Sequence, residues 1–231
     1  MDFLLEGIVA AFRLIVGLDQ EVYAIVFLSV RVSVLATVYA SLLGIPPGVW
    51  VALHQFRGKG ALLLCLNTLM ALPTVVVGVF MYGLISRRGV FGELDLLFAP
   101  GGIVLGLTAL IVPLVMNLTI AAIHATDPRL VTTCRALGAT GFQTSWKVVQ
   151  EAGFAVIAAV VVAFGRVISE VGIAMMLGGN IRGYTRTITT AIALETSKGE
   201  FALGMALGII LLLVSAGVNA ALFLLQRRQR W

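Results

Sequence analysis

The stretch Gly101–Ile123, GGIVLGLTALIVPLVMNLTIAAI, runs 23 residues without an Asp, Glu, Lys or Arg. A helix needs roughly 20 such residues to cross the hydrocarbon core of a bilayer. The run shows no period-2 alternation, so it reads as a spanning helix and not as a barrel strand. Working outward, Val32–Leu53, Ala61–Ile85 and Phe201–Leu225 run 22, 25 and 25 residues, equally free of charge. Ala152–Leu177 is as apolar, interrupted only by Arg166 and Glu170. Five spans follow, and the expected fold is all-α and polytopic. Composition agrees. Of 231 residues 60% are hydrophobic and 12% charged, against about 25% charged in a soluble domain. Such a chain cannot cover its surface with polar groups, so lipid must be its solvent.

The net charge of +5 does not point to nucleic acid, because the 16 basic residues are scattered through short loops with no basic helix or aromatic-interleaved face. Contact with lipid headgroups and orientation in the membrane explain them better. Cys65 and Cys134 lie too far apart, one in a span and one in a loop, for a zinc site or a disulfide framework. Met1-Asp2 lacks the positive start of a signal peptide. Phe3–Leu18 places Leu4, Leu5, Ile8, Val9, Phe12, Ile15 and Val16 among Glu6 and Arg13, as in an amphipathic helix lying in the interface, with a short sixth span as the alternative. Residues 1–21 are therefore set apart as an N-terminal interfacial segment and 22–231 as the membrane domain. Five spans put the termini on opposite sides. Eight lysines and arginines fall on the side of Leu53–Gly60, His124–Glu151 and the tail, and six on the other. This favours the first side as cytoplasmic by a narrow margin.

The loop His124–Glu151 is the longest polar interruption. Asp127-Pro128 reads as an N-cap followed by proline at the first helical position, where its missing N–H costs nothing. A short helix, Arg129–Leu137, is expected to end at Gly138 in the left-handed conformation. Thr140, with Gln143 three residues on, forms a capping box that opens a second helix running into the fourth span. A surface helix so joined to a spanning helix can pass a partner's push into the membrane; an ordinary helical hairpin is the plainer reading.

Thr132-Thr133-Cys134-Arg135-Ala136-Leu137-Gly138-Ala139-Thr140 resembles the "EAA" loop of permease subunits in bacterial ABC importers, which forms the coupling helix that docks in a groove of the ATPase subunit. Arg135-Ala136-Leu137-Gly138-Ala139 matches the core, and Val148 stands at the apolar position that follows the glycine after nine intervening residues. Thr132-Thr133-Cys134 occupies the Glu-Ala-Ala slot, and Gln150-Glu151 replaces Leu-Pro. Ser169-Glu170-Val171-Gly172-Ile173 with Gly178-Gly179-Asn180-Ile181-Arg182-Gly183-Tyr184-Thr185-Arg186-Thr187 resembles the molybdate, tungstate and sulfate branch. The continuation Thr189–Thr196 looks most like the tungstate subgroup. The resemblance runs from about Ser29 to the C-terminus and implies a type I ABC importer permease fold. It implies coupling through Asp127, Thr132, Thr133, Cys134, Arg135, Ala136, Leu137 and Gly138, with the loop 124–151 cytoplasmic, the N-terminus outside and the C-terminus inside. It also implies a multi-pass protein of a bacterial or archaeal cell (inner) membrane. The implied partners are a second copy of the chain, two ATP-binding subunits and an extracytoplasmic oxyanion-binding protein. ATP and magnesium would sit on the ATPase subunit; the chain itself is expected to bind no cofactor or metal.

Charges at membrane depth tend to face a bundle interior or a partner charge. Arg31, near the outer start of the first long span, either snorkels or lines the path. Arg166 and Glu170, one turn apart, pair as a brace or line the path of a dianion. A conduit should not hold its ion tightly, so hydroxyls and amides such as Asn180, Thr185 and Thr187 are candidates for the outer mouth, where loop and cap roles compete. Gly44-Ile45-Pro46-Pro47-Gly48 is expected to bend or interrupt the first long span, and Pro73 and Pro113 to kink the second and third.

No G-x-x-x-x-G-K-[ST] phosphate loop occurs, so ATP hydrolysis by that route is excluded for this chain. His54 and His124 stand apart without a nucleophile, which argues against an intramembrane enzyme. The rival of another class is a self-sufficient secondary transporter or channel. Those often show paired repeats with broken helices in matching places, and no internal repeat is present here.

Overall fold

The computed structural model describes residues 8, 9, 12, 13, 16, 17 and 19–229, with the helix backbone only at 202 and 221–229. Among them there is no strand. Of the N-terminal segment, Ile8, Val9, Phe12, Arg13 and Val16 are helical and exposed, whereas Leu4, Leu5, Glu6 and Ile15 lie outside the described residues.

The first long helix, α1 (Gln20–Leu53), starts at Asp19, whose carboxylate accepts from the N–H groups of Glu21 and Val22 at 2.9 and 3.1 Å. Its 34 residues correspond to about 50 Å of rise, well beyond the roughly 30 Å hydrocarbon core. It packs along α4 (Pro100–His124), with Val32, Ala36 and Ala40 facing Ile103, Leu107, Ile111 and Val115 in the main core. Gly44 and Gly48 let the two helices approach closely in that seam. A Cβ at Gly44 would sit 3.1 Å from Val115, and one at Gly48 would sit 3.0 Å from Thr119 and from the Met116 carbonyl. The expected interruption at Gly44–Gly48 does not occur. The glycines serve close helix approach, and Pro46 and Pro47 remain inside a continuous helix on its less buried side.

The predicted second span is not one straight helix. It divides into α2 (Lys59–Ala71) and α3 (Thr74–Ile85), bent by 97°. The residue before a proline is pushed out of the helical region; Leu72 sits at φ −62°, ψ 136°, and Pro73 itself is extended. With the bent pair counted as one, five units are long and apolar enough to cross a membrane.

After α4 come α5 (Pro128–Ala136) and α6 (Gly141–Ile168). The predicted fourth span to Leu177 breaks at Ser169–Val171, and the chain resumes as the short α7 (Gly172–Gly178), which packs on α3 and α4 through Ile173 and Leu177. Gly78, Gly106 and Gly178 have no room for a Cβ in these contacts. Then α8 (Ile188–Lys198) ends at Gly199, φ +85°, and α9 (Phe201–Gln229) closes the fold. A second cluster, Val51, Leu66, Ile120, Ile123, Val148 and Ala152, seats the α4–α6 loop through Leu130 and Val131.

Candidate functional site

α5 forms as its residues dictate. The Asp127 carboxylate accepts from Arg129 N–H at 2.9 Å, and Pro128 occupies the first turn. The helix ends one residue earlier than predicted, at Ala136. The Leu137, Gly138 and Ala139 N–H groups close its last carbonyls, with Gly138 at φ +79°. Thr140 N–H donates to Gln143 Oε1 at 2.8 Å and Gln143 N–H to Thr140 Oγ1 at 3.3 Å, so the capping box is complete. From there α6 continues 28 residues into the membrane. Four residues, Leu137 to Thr140, thus join a surface helix to a spanning one, capped on both sides of the joint.

Thr132, Thr133, Arg135, Ala136, Leu137 and Gly138 are exposed, Cys134 is half-buried and Asp127 is exposed at the start. Leu137 and Phe142 are 82% and 80% exposed, and Trp146 extends the same apolar patch. An apolar rim at the end of a solvated helix is suited to a protein partner.

In the membrane, Arg166 Nη1 meets Glu170 Oε2 at 3.1 Å. Glu170 lies beyond the end of α6, at the break, and not inside a span as expected. Its side chain is 4% exposed, and its other oxygen accepts from Gly172 N–H at 3.0 Å. Thr189 Oγ1 donates to its carbonyl at 2.8 Å. One carboxylate therefore closes the broken span while α8 is tied to the same point. Arg166 is 46% exposed and opens outward. Arg31 is exposed, has no ion pair among the described residues, and lines an apolar groove of about 930 Å³ between α1 and α4 with Tyr39, Met81 and Pro113.

The hydroxyls at the α7–α8 connection are committed locally. Thr185 Oγ1 donates to the Gly178 carbonyl and accepts from Ile181 N–H. Thr187 caps α8 in a capping box with Thr190. Asn180, at φ +51°, donates to the Thr190 carbonyl at 3.3 Å, and its buried Oδ1 has no partner among the described residues. Sequence reasoning missed the ion network beside them. Arg182 forms a two-point pair with Glu21, and Arg186 reaches both Glu21 and Glu195 at 3.4 Å, with Lys198 on Glu195 at 3.1 Å. The Glu21 hydrogen bond and charge hold Arg182 above its ordinary range. Positions 21 and 186 are too distant in the chain for any local pattern to pair them. Also missed was Asn117 of α4, which donates to Asn67 of α2; two amides inside charge-free runs were the available signal. Among the described residues no cluster of His, Cys, Asp or Glu is arranged to hold a metal ion.

Residues 44–231 match the family described as "Binding-protein-dependent transport system inner membrane component". The chain is 38% identical to the tungstate uptake system permease protein of Peptoclostridium acidaminophilum, over 98% of this chain and 99% of that one. It is 36% identical to the same-named protein of Campylobacter jejuni, over 95% and 92%. To the molybdenum transport system permease protein of Escherichia coli it is 30% identical, over 82% and 90%. Among solved structures, the MetNI methionine ABC transporter in inward-facing form superposes with TM-score 0.74 at 16% identity, covering 92% of this chain and 97% of that one. A bacterial alginate ABC transporter superposes with TM-score 0.73 at 15% identity, covering 99% and 88%. The last two likenesses speak for the fold alone. With more than half its length matched and near full-length relatives above 30% identity, the chain belongs to the family of binding-protein-dependent transport system inner membrane components.

Proposed function

We propose that the chain is the permease subunit of an ATP-driven importer of a tetrahedral oxyanion, with tungstate as first candidate and molybdate and sulfate next. The observation that carries the coupling part is the joint at Leu137–Thr140. It connects an exposed, doubly capped α5 to α6 through four residues, three of whose N–H groups bond back to α5, so force applied at Leu137, Phe142 and Arg135 passes along α6 to the Arg166–Glu170 break. The substrate reading leans on the tungstate permeases being more similar than the molybdenum one.

In the proposed assembly two copies form the route. Two ATPase subunits, carrying ATP and magnesium, dock on Asp127–Gly138, and an external binding protein delivers the anion. ATP-driven closure of the ATPase pair moves the α5 helices and opens the route outward; hydrolysis and separation reset it. The loop 124–151 and the C-terminus then lie in the cytoplasm, the N-terminus outside, and residues 1–21 rest in the interface ahead of the membrane domain 22–231. Arg31, Arg166, Glu170 and the outer Asn180, Thr185 and Thr187 are proposed as polar groups of the pore or gate.

Uptake of radiolabelled or mass-detected tungstate by cells lacking the chain, complemented with it and its ATPase, tests the reading. Complementation should need both proteins and the binding protein. Uptake that persists without any ATPase would replace this reading with the secondary transporter. Titrating the purified binding protein with tungstate, molybdate and sulfate ranks the substrates.

A further inference from the structure

Non-helical backbone at membrane depth persists only where protein buries it or a water-filled cavity meets it, because hydrocarbon offers no hydrogen bonds. The break between α2 and α3 is such a place. Leu72 and Pro73 have extended backbone, and Ala71 and Pro73 are exposed, so protein leaves one side of the break uncovered. Helical spacing sets Asn67 on the face of α2 that also carries Met70 and Ala71. Asn67 is exposed and accepts from Asn117 Nδ2, which also lies 3.0 Å from Met70 Sδ. Asn67 Nδ2 and Asn117 Oδ1 have no further partner among the described residues. Asn67 stands eight residues from Lys59 and Asn117 seven from His124, so both lie about 10–12 Å along their helices from the coupling-loop side. Open amide hydrogen-bonding groups at that depth are costly against lipid tails. Exposed faces elsewhere, such as Val34, Val38 and Leu42 of α1 or Leu212 and Leu213 of α9, are apolar, as lipid contact requires.

We propose that the wet route through the membrane runs along α2 and its break at Pro73, and that the Asn67–Asn117 carboxamide pair is a weak contact for the tetrahedral oxyanion on the coupling-loop side of that break. The inference rests on the oxyanion-permease reading and adds the place where the anion passes. A carboxamide N–H fits an oxyanion oxygen as donor yet carries no charge. The contact strips part of the hydration shell without forming the deep well that a cation would create, and a conduit must release its ion. An acid at the same place repels the dianion.

The test uses the complete transporter, permease with ATPase and binding protein, in inside-out vesicles and in cells. Cysteines are placed singly at Asn67, at Asn117 and, as a lipid-facing control, at Leu212, and labelled with an anionic, membrane-impermeant methanethiosulfonate. Rates are read against the parent, whose Cys65 and Cys134 set the background. Labelling needs a hydrated thiolate, so positions 67 and 117 should react well above 212, and tungstate should slow both. In cells, Asn67→Asp should cut tungstate uptake on the order of tenfold or more, since like charges a few ångströms apart repel by kilocalories. Asn67→Ser, still a neutral donor, should keep most of the uptake, with membrane level and ATPase co-purification unchanged in both variants. Labelling at 67 no faster than at 212 overturns the wet route whatever solute the transporter carries. A disulfide joining two copies at position 67, with no labelling, makes the pair a subunit interface and overturns the proposal likewise. Normal tungstate uptake by Asn67→Asp overturns the anion contact. A wild-type transporter that moves no tungstate, molybdate or sulfate would instead sink the oxyanion reading, and the labelling contrast would still decide the route.

Discussion

Glu170 shows how much one buried carboxylate can hold. Its oxygens serve Arg166 and the Gly172 N–H, one on each side of a break in a membrane helix, and its carbonyl takes the Thr189 hydroxyl. An unpaired charge at such depth costs about 2.5–3.5 kcal/mol on insertion scales. Arg166→Ala alone should therefore lower the amount of assembled permease, because it strands Glu170. The second substitution then separates the two bonds. Arg166→Ala with Glu170→Gln removes the charge but keeps an oxygen for Gly172, and should recover more assembled protein than Arg166→Ala with Glu170→Ala, which leaves that N–H open. Quantifying membrane-assembled protein and anion uptake across the set checks this; normal assembly of Arg166→Ala with uptake abolished would move Arg166 from brace to route. Gly138 is the opposite case, a residue that matters through its backbone. Its chain neighbours aside, no atom of the described residues lies within 4 Å of where its Cβ would be, so a side chain there meets mainly the strain of φ +79°, about 1–2 kcal/mol for an ordinary L-residue. Gly138→Val should insert normally and lose ATPase co-purification, while Gly138→Asn, tolerant of that conformation, should keep it. Equal behaviour of the two variants would show that the turn's geometry is not what aims α5.

At the scale of elements, the pieces written in local chemistry were legible and the pieces decided by packing were not. Asp127-Pro128, Gly138 and the Thr140–Gln143 box each act within four residues, and α5 and the start of α6 stand within a residue of their expected bounds. Charge-free length located the spans because lipid imposes it. Whether a proline kinks, breaks or is absorbed depends on what its helix packs against. Pro46 and Pro47 are absorbed because the glycine seam with α4 keeps α1 helical through them, whereas Pro73 opens a 97° bend because α3 turns to pack on α7. The break at Ser169–Val171 carries no proline, and its signal lay only in Glu170, a carboxylate that caps the helix it interrupts. The capped joint makes its own prediction. Thr140→Ala removes the side-chain half of the box, a loss of about 0.5–2 kcal/mol, and should raise amide hydrogen exchange over residues 141–144 without changing that of the buried half of α6. Phe142→Asp, which alters the exposed patch and leaves the cap intact, should instead abolish ATPase binding with exchange unchanged. Retained ATPase binding by both Phe142→Asp and Leu137→Asp would place the docking surface elsewhere.

For the whole molecule, the five crossings counted among the described residues and the position of α5 make one statement about sides. The ends of α1 and α4 meet on the α5 side, where Lys59 Nζ donates to the His54 and Ala52 carbonyls at 3.0 and 3.4 Å and His124 Nε2 lies 3.3 Å from the latter. Basic groups at helix C-termini complement the dipole, but they do this on either side of a membrane, and eight basic residues against six hardly bias insertion. The orientation follows instead from coupling. If α5 meets an ATPase it faces the cytoplasm, because ATP is there, and five crossings then leave the start of α1 and the α3–α4 connection outside. That connection offers Val90, 82% exposed, and the loop offers Thr140, also exposed, as reporters. A cysteine at Val90 should label with an impermeant maleimide on intact cells, whereas one at Thr140 should label only after permeabilisation, each read against the parent's own thiols. Labelling of position 140 from outside would invert the molecule and remove the ATPase from the only face α5 presents. The transport cycle, the docking patch and the direction of the route would fall together, while the packing of α1 on α4, which no membrane side dictates, would stand.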